Sequence, residues 1–444
     1  MYKLIITFLT LITFFFFISN TLFNISTTII WAIALVLMFT SGLYFTYKLK
    51  FMQLNIPKQL KSLKKSNTNG VNSFETLSMS LASRIGVGSI AGIALAIYIG
   101  GPGVVFWMWI SGIIVSINTY VESIMGSIYK EKDYYNIYIG GPSYYIKKGL
   151  KDNKLAIIYA LLIIFSYVGG FLTIQSNTIV KAVNEVSNIN YIITVTIVCI
   201  LASLIIFKDV KHLAKFSSYI VPFMGLIYLI LGIIIVYSNI EKLPFIIKDI
   251  FTSAISLKAG ITGLFTTIIL GIQRAIFASE AGIGTSAIAS ASSNEPPQKQ
   301  GLSQLLGIHF TIMIICNITA FIILTSSYSE LNIINPNGIE ITLNAFNQSL
   351  GSMGSISLCV VTVLFAFTTI VSGYYYGLSS LKFIFPNISN NKVILFKIIT
   401  IIIVFLGAIL SSNFIWKIVD ILVALLAIIN IYAIKKLFDK NKKI

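Results

Sequence analysis

Long apolar runs recur along the chain, separated by short stretches in which lysine, asparagine and glycine gather. A helix needs about 20 such residues to cross the hydrocarbon core of a bilayer. On that rule the pattern predicts eleven spans, at about residues 24–47, 74–98, 102–129, 155–185, 190–207, 216–238, 260–290, 300–326, 353–383, 392–410 and 413–437. An earlier apolar run, residues 4–18, follows Lys3 and shows no small-residue cleavage site. It reads as an interfacial helix, an uncleaved signal-like segment or an extra span. The expected fold class is an all-α polytopic membrane protein.

The lysines between the runs are unevenly shared. Six fall in the loop 48–65, six in 130–154, three in 208–215 and five in the tail 435–443, while the segment 328–351 has none. Lysine-rich loops stay on the cytoplasmic side, so the C-terminus is expected inside, in a multi-pass protein of the cell membrane. The chain then divides into an N-terminal apolar segment (1–23), an extra helix with a basic loop (24–73), two helical units (74–238 and 260–437) and a basic tail (438–444).

Spans two and seven break the apolar pattern in the same way. One reads Ser83-Arg84-Ile85-Gly86-Val87-Gly88-Ser89 and the other, 196 residues later, Ser279-Glu280-Ala281-Gly282-Ile283-Gly284-Thr285. A glycine pair alone also serves close helix packing, and Gly88-x-x-x-Gly92 has that spacing. Two copies of one seven-residue pattern, each with a charge at membrane depth, point instead to unwound helices, which the bilayer tolerates only where backbone is buried in protein or lines a cavity. The offset from span two to span seven makes five helices per unit. Five is odd, so successive units enter from opposite sides: a five-plus-five inverted repeat with one helix in front. Broken helices at matching positions of inverted repeats mark a secondary transporter with its site at the midplane.

Composition agrees and narrows the chemistry. The chain is 56% hydrophobic and 11% charged, with a mean hydropathy of +0.89, too apolar for a water-soluble core. The formal charge of +17 lies in loops beside spans, where lysine meets anionic lipid, and nucleic acid is not an expected partner. Cys199, Cys316 and Cys359 lie in apolar runs without metal-ligand spacing. No cofactor is expected. Arginine occurs twice among the 32 basic residues, as Arg84 and Arg274, both within spans. A charge at that depth costs at least ~2.5 kcal/mol, which makes each a functional candidate.

Several segments resemble the alanine/glycine:cation symporter family, also known as the sodium:alanine symporter family. They are Gly86-Val87-Gly88-Ser89-Ile90-Ala91-Gly92, Gly100-Gly101-Pro102-Gly103-Val104-Val105-Phe106-Trp107-Met108-Trp109, Gly140-Gly141-Pro142-Ser143-Tyr144-Tyr145-Ile146, Arg274-Ala275-Ile276-Phe277-Ala278-Ser279-Glu280-Ala281-Gly282-Ile283-Gly284 and Gln300-Gly301-Leu302. The resemblance runs over about residues 24–437. It implies a leucine-transporter-like fold that carries a small neutral amino acid with a cation, Na+ or H+, at the unwound parts of spans two and seven. The substrate-binding residues it implies are Gly86, Val87, Gly88, Ser89, Gln175, Phe277, Ser279, Gly282 and Gly373. The implied cation site is Ala82, Ile85, Thr368 and Thr369, the only place where a metal ion, sodium, is expected.

The chain departs from the family where Thr-Val-Gly-Thr-Gly-Asn is replaced by Arg84-Ile85-Gly86-Val87-Gly88-Ser89, and where a tryptophan is replaced by Gly373. Losing that indole is expected to open space for a substrate larger than alanine, such as glutamine. The Arg84 guanidinium is expected either to stand in for a first sodium, leaving one coupled cation, or to pair with Glu280 or Glu122. Arg274 reads as a gate or helix-pinning residue, with Asp420 as its partner or as a proton carrier. His309 reads as a hydrogen-bonded interior histidine or a relay. An enzyme is not expected, since Ser279 beside Glu280 has no histidine nearby in sequence and no metal cluster accompanies it. A transport-dead sensor or an uncoupled channel on the same fold is the alternative.

Overall fold

The computed structural model describes residues 20–64, 71–133, 137–256, 260–327, 337–409 and 412–441. Residues 1–19, most of the expected N-terminal segment, lie outside that set. The principal helices are α1 (Asn20–Lys48), α2 (Ser73–Arg84), α3 (Ala91–Gly100), α4 (Gly103–Ile128), α5 (Asn153–Ser187), α6 (Tyr191–Ile206), α7 (Val210–Ser238), α8 (Leu243–Ala254), α9 (Gly260–Ser279), α10 (Thr285–Ala291), α11 (Pro297–Thr325), α12 (Gly338–Leu350), α13 (Ser352–Ile384), α14 (Asn390–Gly407) and α15 (Ser412–Lys440).

Each expected span has its helix, and the second and seventh are broken. The axes of the two halves of span two differ by 62°. Among the described residues nine helices are long and apolar enough to cross a membrane, ten with the bent pair. The eleventh, α6, has only 16 residues, so a count of eleven spans is not established. Two of these principal helices fall where loops were expected. Both α8 and α12 carry a one-sided apolar face, and α12 starts on a capping box in which Asn337 and Glu340 satisfy each other's backbone amides.

Burial sorts the bundle. In α4 67% of the most apolar window is buried, against 22% in α14 and 33% in α1. Thus α4 runs through the centre, touching α9, α10 and α11, while α1 packs on the outside against α4 and α15. Two central helices carry wide turns, Ile164–Phe171 in α5 and Phe310–Cys316 in α11. Such π-type turns cluster at functional sites because the extra residue re-aims neighbouring side chains. The α5 turn contains Gly169-Gly170 and packs on α13. His309, midway along α11, bonds Gln59 Oε1 at 3.1 Å, which makes it a paired histidine.

Candidate functional site

The first break lies between α2 and α3, where Val87–Ser89 forms a single 3-10 turn. Neither glycine there has positive φ; Gly86 is required by space, and Gly88 sits in a tight one. A Cβ on Gly86 would sit 2.6 Å from Thr369 Oγ1 and 3.1 Å from Gln175 Oε1, and one on Gly88 3.1 Å from Phe277. Backbone, amide, hydroxyl and ring therefore meet without an intervening side chain. The Val87 amide donates to Gln175 Oε1 at 3.2 Å, and the Thr369 hydroxyl donates to Ala82 O at 3.0 Å. Gly86, Val87, Gly88, Gln175, Phe277, Ala82 and Thr369 are thus brought together, with Ile85 fully buried beside them.

Three expected members face elsewhere. The Ser89 hydroxyl folds back onto Arg84 O at 3.1 Å. The Ser279 hydroxyl donates to Ala275 O at 2.6 Å within its own helix. Thr368 donates to Phe365 O and faces Met224 Sδ on α7. Thr369 also donates to Phe365 O, at 2.9 Å, but of the two hydroxyls only that of Thr369 reaches the Ala82 carbonyl.

The second break, Glu280 to Gly284, is held by hydrogen bonds at every step. Gly282 and Gly284 have φ of +76° and +99°, and Glu280 itself +54°, conformations that suit glycine and strain other residues. Glu280 accepts from Ser83 and from Thr285, each at 2.7 Å, and so ties the two breaks to each other. Behind it, the Asn430 amide donates to Gly282 O at 2.9 Å and to Glu122 Oε2 at 2.7 Å. Tyr145 donates to Asn430 and Tyr159 to Ile283 O. Glu122 is a buttress behind the break, and a Cβ on Gly282 would face Met38 and Ile431, away from the junction of the two breaks.

Four aromatic rings cover that junction. Tyr167 stacks on Phe171 at 4.7 Å, Phe171 on Phe277 at 4.8 Å, and Phe277 meets Trp416 at 4.9 Å. Arg274 lies over Trp416 at 5.3 Å, a cation–π contact. It faces Asp420 on α15 without a direct ion pair. Tyr167, Phe171 and Trp416 were not singled out from sequence; the Gly169-Gly170 pair inside an apolar span was the available signal.

Two expectations are corrected here. Arg84 lies within electrostatic reach of Glu280 and Glu122 but makes a direct ion pair with neither. A helical side chain leans towards the N-terminus of its helix, so the guanidinium points away from the break and donates to Gln304 O at 3.3 Å, Gln304 Oε1 at 3.1 Å and Ser286 Oγ. The space over Gly373 is also not open: a Cβ there would meet Leu172 Cδ1 at 2.6 Å and Tyr167 at 3.6 Å. The wide turn of α5 brings those two side chains against the glycine.

The sodium:alanine symporter family matches residues 16–444. Among individual proteins, the chain is 34% identical to the amino-acid carrier protein AlsT of Bacillus subtilis, over 96% of this chain and 91% of that one. It is 33% identical to the probable sodium/glutamine symporter GlnT of Bacillus subtilis (93% and 87%). It is 30% identical to the sodium/alanine symporter AgcS of Methanococcus maripaludis (89% and 90%). In fold it is similar to a Na+-coupled sialic acid symporter (TM-score 0.56, 12% identity, 86% and 81% covered). A manganese transporter of Eremococcus coleocola is a second structural neighbour (TM-score 0.54, 11% identity, 81% and 74%).

Proposed function

The chain belongs to the sodium:alanine symporter family, and from that premise we propose that it imports a small neutral amino acid together with one cation, sodium rather than a proton. It is a membrane transporter and not an enzyme. The observation that carries the reading is the meeting of the first helix break with Gln175, Phe277 and Thr369 at one buried point, tied to the second break by the bond from Ser83 to Glu280. The substrate's carboxylate takes the place of Gln175 Oε1 on the Val87 amide, at the start of the α3 half-helix where amides and dipole favour an anion. The cation takes the Ala82 carbonyl and the Thr369 hydroxyl, whose mutual hydrogen bond marks two oxygens already within reach of each other. Units 74–238 and 260–437 are the inverted repeats that rock around this point, with the lysine-rich loops and the C-terminus cytoplasmic.

Substrate size is set by Leu172 and Tyr167 against Gly373, which favours an alanine-sized side chain over glutamine. The test is uptake of labelled alanine and glutamine into liposomes under an inward sodium gradient, a proton gradient, or neither. Sodium-driven accumulation above equilibrium, with alanine preferred, is expected. Equilibration without accumulation identifies a channel, no uptake identifies a sensor, and proton-driven accumulation overturns the choice of ion.

A further inference from the structure

A groove of about 540 Å³ runs along the outside of the bundle between α1 and α15. Its floor is apolar, built from Leu37, Ile428 and Ile429, with Leu155 at the start of α5 closing one side. At one end the apolar floor gives way to Lys435 and Lys436, both exposed. Lys48, at the end of α1, joins them: Lys48 and Lys435 flank the Tyr44 ring at 5.8 and 5.9 Å, and Lys436 lies 4.5 Å over Tyr432. Asp439, the acid at this end, accepts from the Tyr44 hydroxyl at 2.5 Å. The remaining charge there is cationic.

We propose that this seam binds an anionic glycerophospholipid, with one acyl chain along the groove and the phosphate on Lys435 and Lys436. Basic pockets between membrane helices recognise anionic headgroups in this way. The lysine stems stay on apolar surface while the ammonium groups reach the headgroup level. A symmetric second copy of the chain is a poorer occupant, because it would bring its own lysines against these. The position has a consequence, since α1 is the helix outside the repeats, only 33% buried in its apolar window, and held by α4 and α15. A lipid in the seam fills the gap on one side of it and fixes it to α15.

The experiment is thermal unfolding of the full chain in detergent, titrated with phosphatidylglycerol or with phosphatidylcholine of the same acyl chains. Ligand that binds only the folded protein raises the midpoint with concentration. Phosphatidylglycerol is expected to stabilise at lower concentration than phosphatidylcholine. The pair Lys435→Gln with Lys436→Gln should weaken that effect roughly 30-fold, about fivefold for each lysine lost. Thr40→Trp, which plugs the groove from its exposed rim without touching a charge, should weaken it as well. The pair Lys208→Gln with Lys211→Gln, exposed lysines elsewhere, should leave it unchanged. Equal stabilisation by both lipids, equal loss in the Lys208 and Lys211 pair, or no effect of the plug would each overturn the site.

Discussion

Glu280 sits at φ +54°, where a residue with a Cβ is strained by about 1–3 kcal/mol, and it keeps that conformation because both carboxylate oxygens accept hydroxyls from opposite sides of the junction. Sequence shows the charge and the serine and threonine around it; it does not show that Ser83, from the other break, is one of the partners. Leu172 is the opposite case, a side chain with no polar signal that fills the space beside Gly373. Its Cδ1 occupies the position where a Cβ at Gly373 would come within 2.6 Å. Leu172→Ala is therefore expected to shift transport towards larger side chains, raising the glutamine-to-alanine ratio of kcat/KM by about tenfold, within the range that a few methylene groups command. Competition uptake with both labelled amino acids measures it. An active variant with an unchanged ratio would remove Leu172 from the selectivity of the site.

At the scale of the element, the two breaks reach a similar backbone role by different means. In the first, glycine makes room for neighbours; in the second, it supplies positive φ. Gly284 needs both, with φ +99° and a Cβ position 2.4 Å from Pro142 and from Tyr159 Oη. Gly101, by contrast, has φ +73° with nothing within 4 Å. Gly284→Ala should lower the unfolding midpoint more than Gly101→Ala, the difference being the overpacking cost of about 1–3 kcal/mol, and should abolish uptake that Gly101→Ala retains. Equal midpoints would show that the contact at Gly284 yields freely. The repeated Ser-charge-x-Gly pattern made both breaks legible in the sequence. The wide turns in α5 and α11 were not, because a π-type turn differs from an α-helix by one residue and leaves the apolar run intact. For Arg84, depth in the membrane follows from sequence, but the lean that takes its direct hydrogen bonds to Gln304 and Ser286 follows from its place in the last turn of α2.

Across the whole molecule, the proposed coupling to one cation rests on how charge is arranged around the junction. Arg84 is a fixed cation just below the first break, bonded to three oxygens on α10 and α11, and the carboxylate nearest the breaks, Glu280, is committed to two hydroxyls. In the proposed site the cation takes Ala82 O with the Thr369 hydroxyl, while the other hydroxyl of the first break, on Ser89, is turned onto Arg84 O; that arrangement is proposed for one monovalent ion. A neutral amino acid carried with one cation moves one charge per cycle, and one charge across 100 mV is worth about 2.3 kcal/mol. That corresponds to a roughly 45-fold change in the accumulation ratio per 100 mV, whereas two coupled cations would give roughly 2000-fold. Accumulation measured in liposomes at a series of clamped potassium-diffusion potentials should fall on the shallower slope. The steeper slope would mean that a second cation binds despite Arg84 and that the guanidinium has no part in setting the coupling.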